Sequence, residues 1–79
     1  MKEVYTKCNN SNLKKIVRYL QHKGYVTFFS PEDFIDICEL NHATYIYGGS
    51  DRYIRYATHK CDCNAEDISY IFNSNATIF

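Results

Sequence analysis

The chain has 79 residues, of which 13 are Tyr or Phe and 23% are charged, and its formal net charge is zero. This length predicts one small domain, residues 1–79. A dedicated nucleic-acid-binding domain is usually basic, so the zero charge argues against that class. No stretch approaches the ~18 consecutive apolar residues of a membrane span, and the N-terminal residues lack the apolar run of a signal peptide. We therefore expect a soluble, cytoplasmic protein whose four cysteines are thiols.

The zero net charge conceals an uneven distribution along the chain. Residues 1–29 carry six Lys or Arg against one Glu, whereas residues 30–51 carry five Asp or Glu and no Lys or Arg. The plain expectation is that these two parts neutralise each other in the fold. Residue usage is biased as well, because Phe, Tyr, Met, Ile, Asn and Lys make up 35 of the 79 residues. Their codons are A/T-rich, which indicates an A/T-rich genome such as that of a phage, another virus or a low-G/C bacterium.

The first elements are a strand and an amphipathic helix. Alternation around Val4 predicts a short strand within residues 2–7. N-cap candidates in residues 9–12 then precede apolar residues at helical spacing, which predict a helix over 11–23 that ends at Gly24. The apolar positions are Leu13, Ile16, Val17 and Leu20. The opposite side is either an ordinary solvated face or a binding face for phosphate or an acidic protein, and it carries Lys14, Lys15, Arg18 and His22.

A second strand and a second helix follow. Residues 25–29 are aromatic or β-branched and predict a mostly buried strand. Ser30 as N-cap, Pro31 in the first turn and the carboxylates after them predict a helix over 31–40. One side of this helix is apolar. The other side is acidic and carries Glu32, Asp36 and Glu39.

The strongest local signal is a β-hairpin in the middle of the chain. Two aromatic and β-branched runs, 43–48 and 52–58, flank a Gly-Gly-Ser-Asp turn. Because side chains alternate along a strand, pairing Tyr47 with Asp51 or with Tyr53 places both hairpin isoleucines on the core side. The same register gathers an outward set of four side chains, Tyr45, Tyr47, Tyr53 and Arg55. This side is either a contact surface or a second buried face.

The end of the chain predicts one more helix and one more strand. Asn64 as a cap and the acidic residues after it predict a third helix over 65–73, and residues 76–79 predict a last strand. Together the elements predict an α+β domain with a central hairpin in a sheet of three to five mixed or antiparallel strands. Three helices would pack mainly on one face of that sheet. The other face would stay open.

Few residues are candidates for chemistry. His59, Cys61 and Cys63 would point the same way in an extended segment and form a candidate zinc set. Their fourth ligand would be Cys8 or Cys38, although zinc sites usually have two to four residues between paired cysteines. A disulfide with one of these two cysteines and unlinked thiols are the alternatives. No nucleophile motif or phosphate-binding loop is present, so we expect no enzyme activity and no cofactor.

These features predict a small non-enzymatic interaction protein. The Tyr and Arg side chains of the hairpin, with support from the acidic helix, would bind a larger protein and inhibit or modulate it. In size, charge pattern, residue usage and absence of catalytic motifs, the chain resembles phage-encoded inhibitors of host defence or transcription, including anti-CRISPR and anti-restriction proteins. The alternative is a single-stranded nucleic-acid-binding protein whose tyrosines stack on bases and whose phosphate contacts are Lys14, Arg18, Arg52 and Arg55. Self-association into a homodimer stays open, and no membrane partner is expected.

Overall fold

A computed structural model describes residues 1–60 and 64–72 of the chain. These residues form a four-stranded sheet, two α-helices and a short 3₁₀ turn, so the α+β class is confirmed. The strand order is β3-β2-β1-β4, in which β4 is parallel to β1 and the other neighbours are antiparallel. In chain order the elements are β1 (Val4–Lys7), α1 (Leu13–His22), α2 (Pro31–Leu40), β2 (Tyr45–Gly48), β3 (Ile54–Ala57), β4 (Glu66–Asp67) and the 3₁₀ turn (Ser69–Ile71).

Both helices pack on one face of the sheet, and the hydrophobic core lies between the two layers. Helical spacing places four apolar side chains of α1 on its inner side, where each is at most 1% exposed: Leu13, Ile16, Val17 and Leu20. α2 contributes Phe34 and Cys38 to the same core. The strands contribute Val4, Ile46 and Ile54. The helices therefore cover one side of the sheet, and within residues 1–60 and 64–72 no helix covers the other side.

The sequence signals at the start of α2 and at the end of α1 act as predicted, whereas Asn12, the N-cap residue of α1, makes no side-chain capping bond. The Ser30 hydroxyl accepts a hydrogen bond from the Asp33 backbone N–H at 3.2 Å, and Pro31 is the first residue of α2. Before α1, the side-chain oxygen of Asn9 accepts bonds from the two N–H groups that precede the helix. Gly24 follows α1 with φ +104°, a left-handed conformation that favours glycine.

The central hairpin is confirmed, with shorter strands than predicted and a different pairing. Tyr47 lies opposite Arg55, two residues beyond Tyr53, so neither of the two predicted Tyr47 pairings forms. A shift by two residues keeps the side chains within β2 and β3 on their expected faces, because side chains alternate with a period of two. Ile46 and Ile54 accordingly both point to the core and are at most 1% exposed.

The predicted third helix over 65–73 is wrong. The first part of this segment is β4, which lies beside β1, and the second part is the 3₁₀ turn. The Glu66 N–H donates to the Glu3 carbonyl at 3.0 Å, and the Ile68 N–H donates to the Tyr5 carbonyl at 2.8 Å. Pairing with the edge of β1 therefore satisfies backbone groups that the local signals would have placed in a helix.

The predicted strand over 25–29 is also wrong, because only Val26 pairs with the sheet, through a single bridge to Tyr53. Phe28 and Phe29 are 62% and 58% exposed rather than buried. The Thr27 hydroxyl donates to the Phe29 carbonyl, a local bond that joins side chain and backbone within this segment.

Two further expectations fall outside the described residues. The predicted strand over 76–79 lies there, as do Cys61 and Cys63 of the candidate zinc set. Within residues 1–60 and 64–72, no helix has both the length and the apolar character needed to cross a membrane.

Candidate functional site

Three tyrosines form a cluster on the side of the sheet that faces away from the helices. Tyr5 belongs to β1 and Tyr45 and Tyr47 belong to β2, so all three lie on the two central strands. The Tyr5 ring stacks on the Tyr47 ring with centroids 5.6 Å apart. The other two centroid distances are 6.2 Å and 6.5 Å. Each ring is partly buried by its neighbours and partly exposed. We call these three residues the tyrosine face.

Strand alternation and register together explain the cluster. Tyr5 lies directly opposite Tyr47 in the β1–β2 ladder, and directly paired residues share a face of the sheet. The next pair, Thr6 and Ile46, points to the helices, and both side chains are 0% exposed. The same alternation that fills the core therefore places the aromatic rings on the opposite side.

An ion pair stands at one margin of the tyrosine face. Arg55 lies opposite Tyr47 in the β2–β3 ladder, and its guanidinium bonds both carboxylate oxygens of Asp51 at 2.6 Å and 3.1 Å. These bonds, together with the Tyr53 N–H, lower the pKa of Asp51 to about 2. The same carboxylate raises the pKa of Arg55. Both groups are therefore charged near neutral pH, and each compensates the other.

A second charged group lies against Tyr5. The Lys60 ammonium is 5.6 Å from the centre of the Tyr5 ring, within the range of a cation–π contact. Its hydrogen bond with the Tyr5 hydroxyl raises the pKa of Lys60. Asp67 is opposite Tyr5 on the β4 side, and hydrogen bonds from Ser69 lower the pKa of this carboxyl. The margin of the tyrosine face thus contains charged side chains of both signs.

A cleft of about 250 Å³ opens beside Tyr47 and Arg55. Glu3, which directly precedes β1, and the small side chains of Ala57 and Ala65 also line it. This volume is below the roughly 300–1,000 Å³ of a typical small-molecule pocket. The cleft is better matched to one side chain of a bound macromolecule than to a free substrate.

The structure changes the membership of the predicted Tyr and Arg set. Tyr53 leaves the cluster, because its ring stacks on Phe28 with centroids 4.1 Å apart. Tyr5 belongs to the cluster, although the hairpin sequence does not indicate it. The signal that points to Tyr5 is the alternation around Val4, because neighbouring side chains of a strand face opposite sides. The missing information was that this strand pairs with β2.

The charged residues predicted on the helices lie in the helix layer, on the other side of the sheet from the tyrosine face. α2 exposes Glu32, Asp36 and Glu39, and α1 exposes Lys14 and Arg18. A shallow groove between the helices brings Lys14 beside the three carboxylates. Arg52 is exposed in the hairpin turn. The helix charges therefore do not form one continuous surface with Tyr45 and Tyr47.

The candidate zinc set cannot be assembled from the described residues, since two of its members lie outside them. Within the part of the chain that the structure describes, no group of three His, Cys, Asp or Glu is placed to hold a metal ion. Cys8 and Cys38 are free thiols. Burial raises the pKa of Cys8 to about 11 and that of Cys38 to about 12, so both are protonated near neutral pH and poorly nucleophilic.

Comparison with known proteins yields no family model, no curated protein and no solved structure that matches the chain. A functional assignment therefore rests on the site itself.

Proposed function

We propose that this chain is a small non-enzymatic protein-binding module that acts by occupying a larger protein. The observation that carries the proposal is the tyrosine face, three neighbouring rings on the two central strands with both helices behind the sheet. Tyr provides a large, rigid contact area with a polar hydroxyl, and Tyr and Arg dominate the energetics of many protein interfaces. Arg55 at the margin supplies the second of these residue types.

The charges around the tyrosine face favour a protein over a nucleic acid. Among residues 1–60 and 64–72, three cationic side chains around this face are matched by three carboxylates, Lys7, Arg55 and Lys60 against Glu3, Asp51 and Asp67. Nucleic-acid affinity comes largely from cations that neutralise phosphates, and the Arg55 guanidinium is already bound by Asp51. An aromatic centre within a polar rim of mixed charge is the usual anatomy of a protein–protein interface.

The proposed activity is inhibition or modulation of the bound protein in the host cytoplasm. Small size, A/T-rich residue usage and a contact surface in place of a recognisable catalytic motif support a phage-encoded inhibitor of host defence or transcription machinery, of the anti-CRISPR or anti-restriction type. The acidic side chains of α2 would make a second, separate contact, because they lie in the helix layer.

A second candidate function is the binding of single-stranded nucleic acid, and one observation favours it. Some RNA-binding domains stack bases on aromatic side chains of an open four-stranded sheet, and the tyrosine face has this arrangement. Lys7 and Lys60 beside it would contact phosphates. Lys14 and Arg18 lie behind the sheet and would not share this surface.

The two candidates separate in a pull-down from the lysate of a plausible host, with and without nuclease, read by mass spectrometry. The full chain is compared with two folded variants, Tyr47→Ala in the tyrosine face and Tyr70→Ala on the 3₁₀ turn, where Tyr70 is 69% exposed. We expect the full chain to capture one protein at near-stoichiometric yield, both with and without nuclease. Tyr47→Ala should weaken its binding at least ~10-fold, and Tyr70→Ala should not.

Each alternative result has a definite reading. Equal capture by the two variants would remove the tyrosine face from the proposed interface. A different result would be the loss of capture on nuclease treatment, and labelled single strands would then bind with an affinity that falls steeply as salt rises. Those two results together would favour nucleic-acid binding.

A further inference from the structure

The Glu3 carboxylate lies beside the tyrosine face and is not neutralised there. Glu3 is exposed and stands two residues before Tyr5 in the same extended segment, so both side chains point to the same side of the sheet. Among residues 1–60 and 64–72, no hydrogen bond or ion pair engages this carboxylate. The neighbouring Lys2 is bound by Glu66. Lys7 lies four residues further along the strand, about 13 Å away at ~3.3 Å per residue.

The cleft that Glu3 shares with Tyr47 is otherwise mostly apolar. The Tyr47 ring forms part of its wall, and small residues leave a space of about 250 Å³ beside the ring. These small residues are Gly49, Ala57 and Ala65. Arg55 also lines the cleft, but two hydrogen bonds from its guanidinium bind it to Asp51. The cleft therefore combines apolar walls, one aromatic ring and one carboxylate without a counter-charge.

We propose that this cleft receives an arginine side chain of the bound protein. The inference rests on the proposed function, because it specifies the partner of the same surface. An arginine side chain has an apolar stem and a charged head group, which match apolar walls that carry a single uncompensated carboxylate. Its planar guanidinium stacks on aromatic rings and binds a carboxylate through two parallel hydrogen bonds. Tyr47 and Glu3 supply these two partners within one cleft.

The same groups disfavour other occupants. An apolar side chain would remove water from the Glu3 carboxylate without giving it a new hydrogen bond. An acidic side chain would be repelled by Glu3 and would find the Arg55 guanidinium already bound by Asp51. A lysine would satisfy the charge of Glu3, but its ammonium lacks the planar, two-pronged geometry that fits a ring and a carboxylate together.

NMR titration of the full ¹⁵N-labelled chain with blocked tripeptides tests the proposal. The probe is N-acetyl-Gly-Arg-Gly-amide, and the matched control peptide carries citrulline, which has nearly the shape of arginine without its charge. We expect the arginine peptide to shift the amide signals of Gly49, Ala57 and Ala65 saturably, with a dissociation constant of ~1–10 mM. The citrulline peptide should bind at least ~5-fold more weakly, and the corresponding lysine peptide at least ~3-fold more weakly.

A pair of charge-neutralising variants assigns the binding to Glu3. Glu3→Gln keeps the size of the side chain and removes its charge, so the arginine peptide should bind at least ~5-fold more weakly. Glu39→Gln is the matched control, because Glu39 is exposed on α2, on the other side of the sheet. At the three cleft amides, this control should bind the peptide as tightly as the unmodified chain does. Both positions are exposed, so both variants should keep the native fold.

Several results would overturn the proposal. They are equal binding of the arginine peptide and either the citrulline or the lysine peptide, an unchanged affinity in Glu3→Gln, and no saturable shift of the three amides up to ~30 mM peptide. The titration probes the cleft without the partner, whereas the pull-down with Tyr47→Ala probes the partner itself. A failed titration together with capture that depends on Tyr47 would therefore remove the arginine and leave the proposed function standing.

Discussion

Truncation of Ile46 tests whether the two faces of the sheet differ as described. Ile46 is 0% exposed on the helix side of β2, and Ile46→Ala removes three carbon atoms. The transfer of these atoms is worth about 2.4 kcal/mol at ~0.8 kcal/mol per methylene. The cavity left behind raises the expected loss to roughly 3–4 kcal/mol. A domain of this length has a total stability of only ~4–12 kcal/mol, so the loss is a large fraction of it.

The neighbouring Tyr45 supplies the control, since it lies on the same strand and points to the other side. Tyr45→Ala loses ring contacts with Tyr5 and Tyr47, which are worth about 0.5–1.5 kcal/mol each and therefore about 1–3 kcal/mol together. Ile46→Val provides an intermediate step of about 1 kcal/mol.

Equilibrium denaturant unfolding measures the free energy of unfolding of all three variants. Thermal unfolding gives a second measure, because each 1 kcal/mol of lost stability should lower the melting temperature by roughly 4–8 °C. Equal losses for Ile46→Ala and Tyr45→Ala would refute the reasoning. That result would mean that the tyrosine side of the sheet is a second core and not an open surface.

Two further predictions concern the hairpin. Gly48→Ala should lower the free energy of unfolding by about 1–3 kcal/mol, because a Cβ at Gly48 would lie 2.8 Å from the buried Tyr25 ring. Thermal unfolding measures this loss, and an unchanged melting temperature would show that the ring moves aside freely. Asp51→Asn should remove an acid-dependent part of the stability. Because Arg55 lowers the pKa of Asp51 from 3.8 to about 2, the charged carboxylate favours the folded state above pH 3.8, and this contribution is lost as the pH falls towards 2. Unfolding curves of the two proteins should therefore converge at low pH, and a constant difference between about pH 2 and pH 6 would contradict this origin.

The elements that could be predicted from the sequence are those whose signals lie within a few neighbouring residues. The apolar spacing of α1, the Ser30 cap with Pro31 in α2 and the Gly-Gly-Ser-Asp turn each act within a few residues. Helical spacing and strand alternation also determined which side chains are buried, so Leu20 and Ile46 point to the core as predicted. The α+β class and the outward direction of Tyr45 and Tyr47 follow from the same periodicities.

Beyond the hairpin, which strands lie side by side could not be predicted from the sequence, because it depends on the packing of distant segments. Local capping signals after Asn64 favour a helix, but backbone bonds to the edge of β1 make Glu66–Asp67 a strand. The place of Tyr5 beside Tyr47, and the departure of Tyr53 to stack on Phe28, depend on pairings between segments far apart in the chain. The candidate site follows from the same pairings. The physical reason is that backbone groups accept any partner of suitable geometry, so strand neighbours are chosen by the packing of the whole chain and not by the residues of one segment.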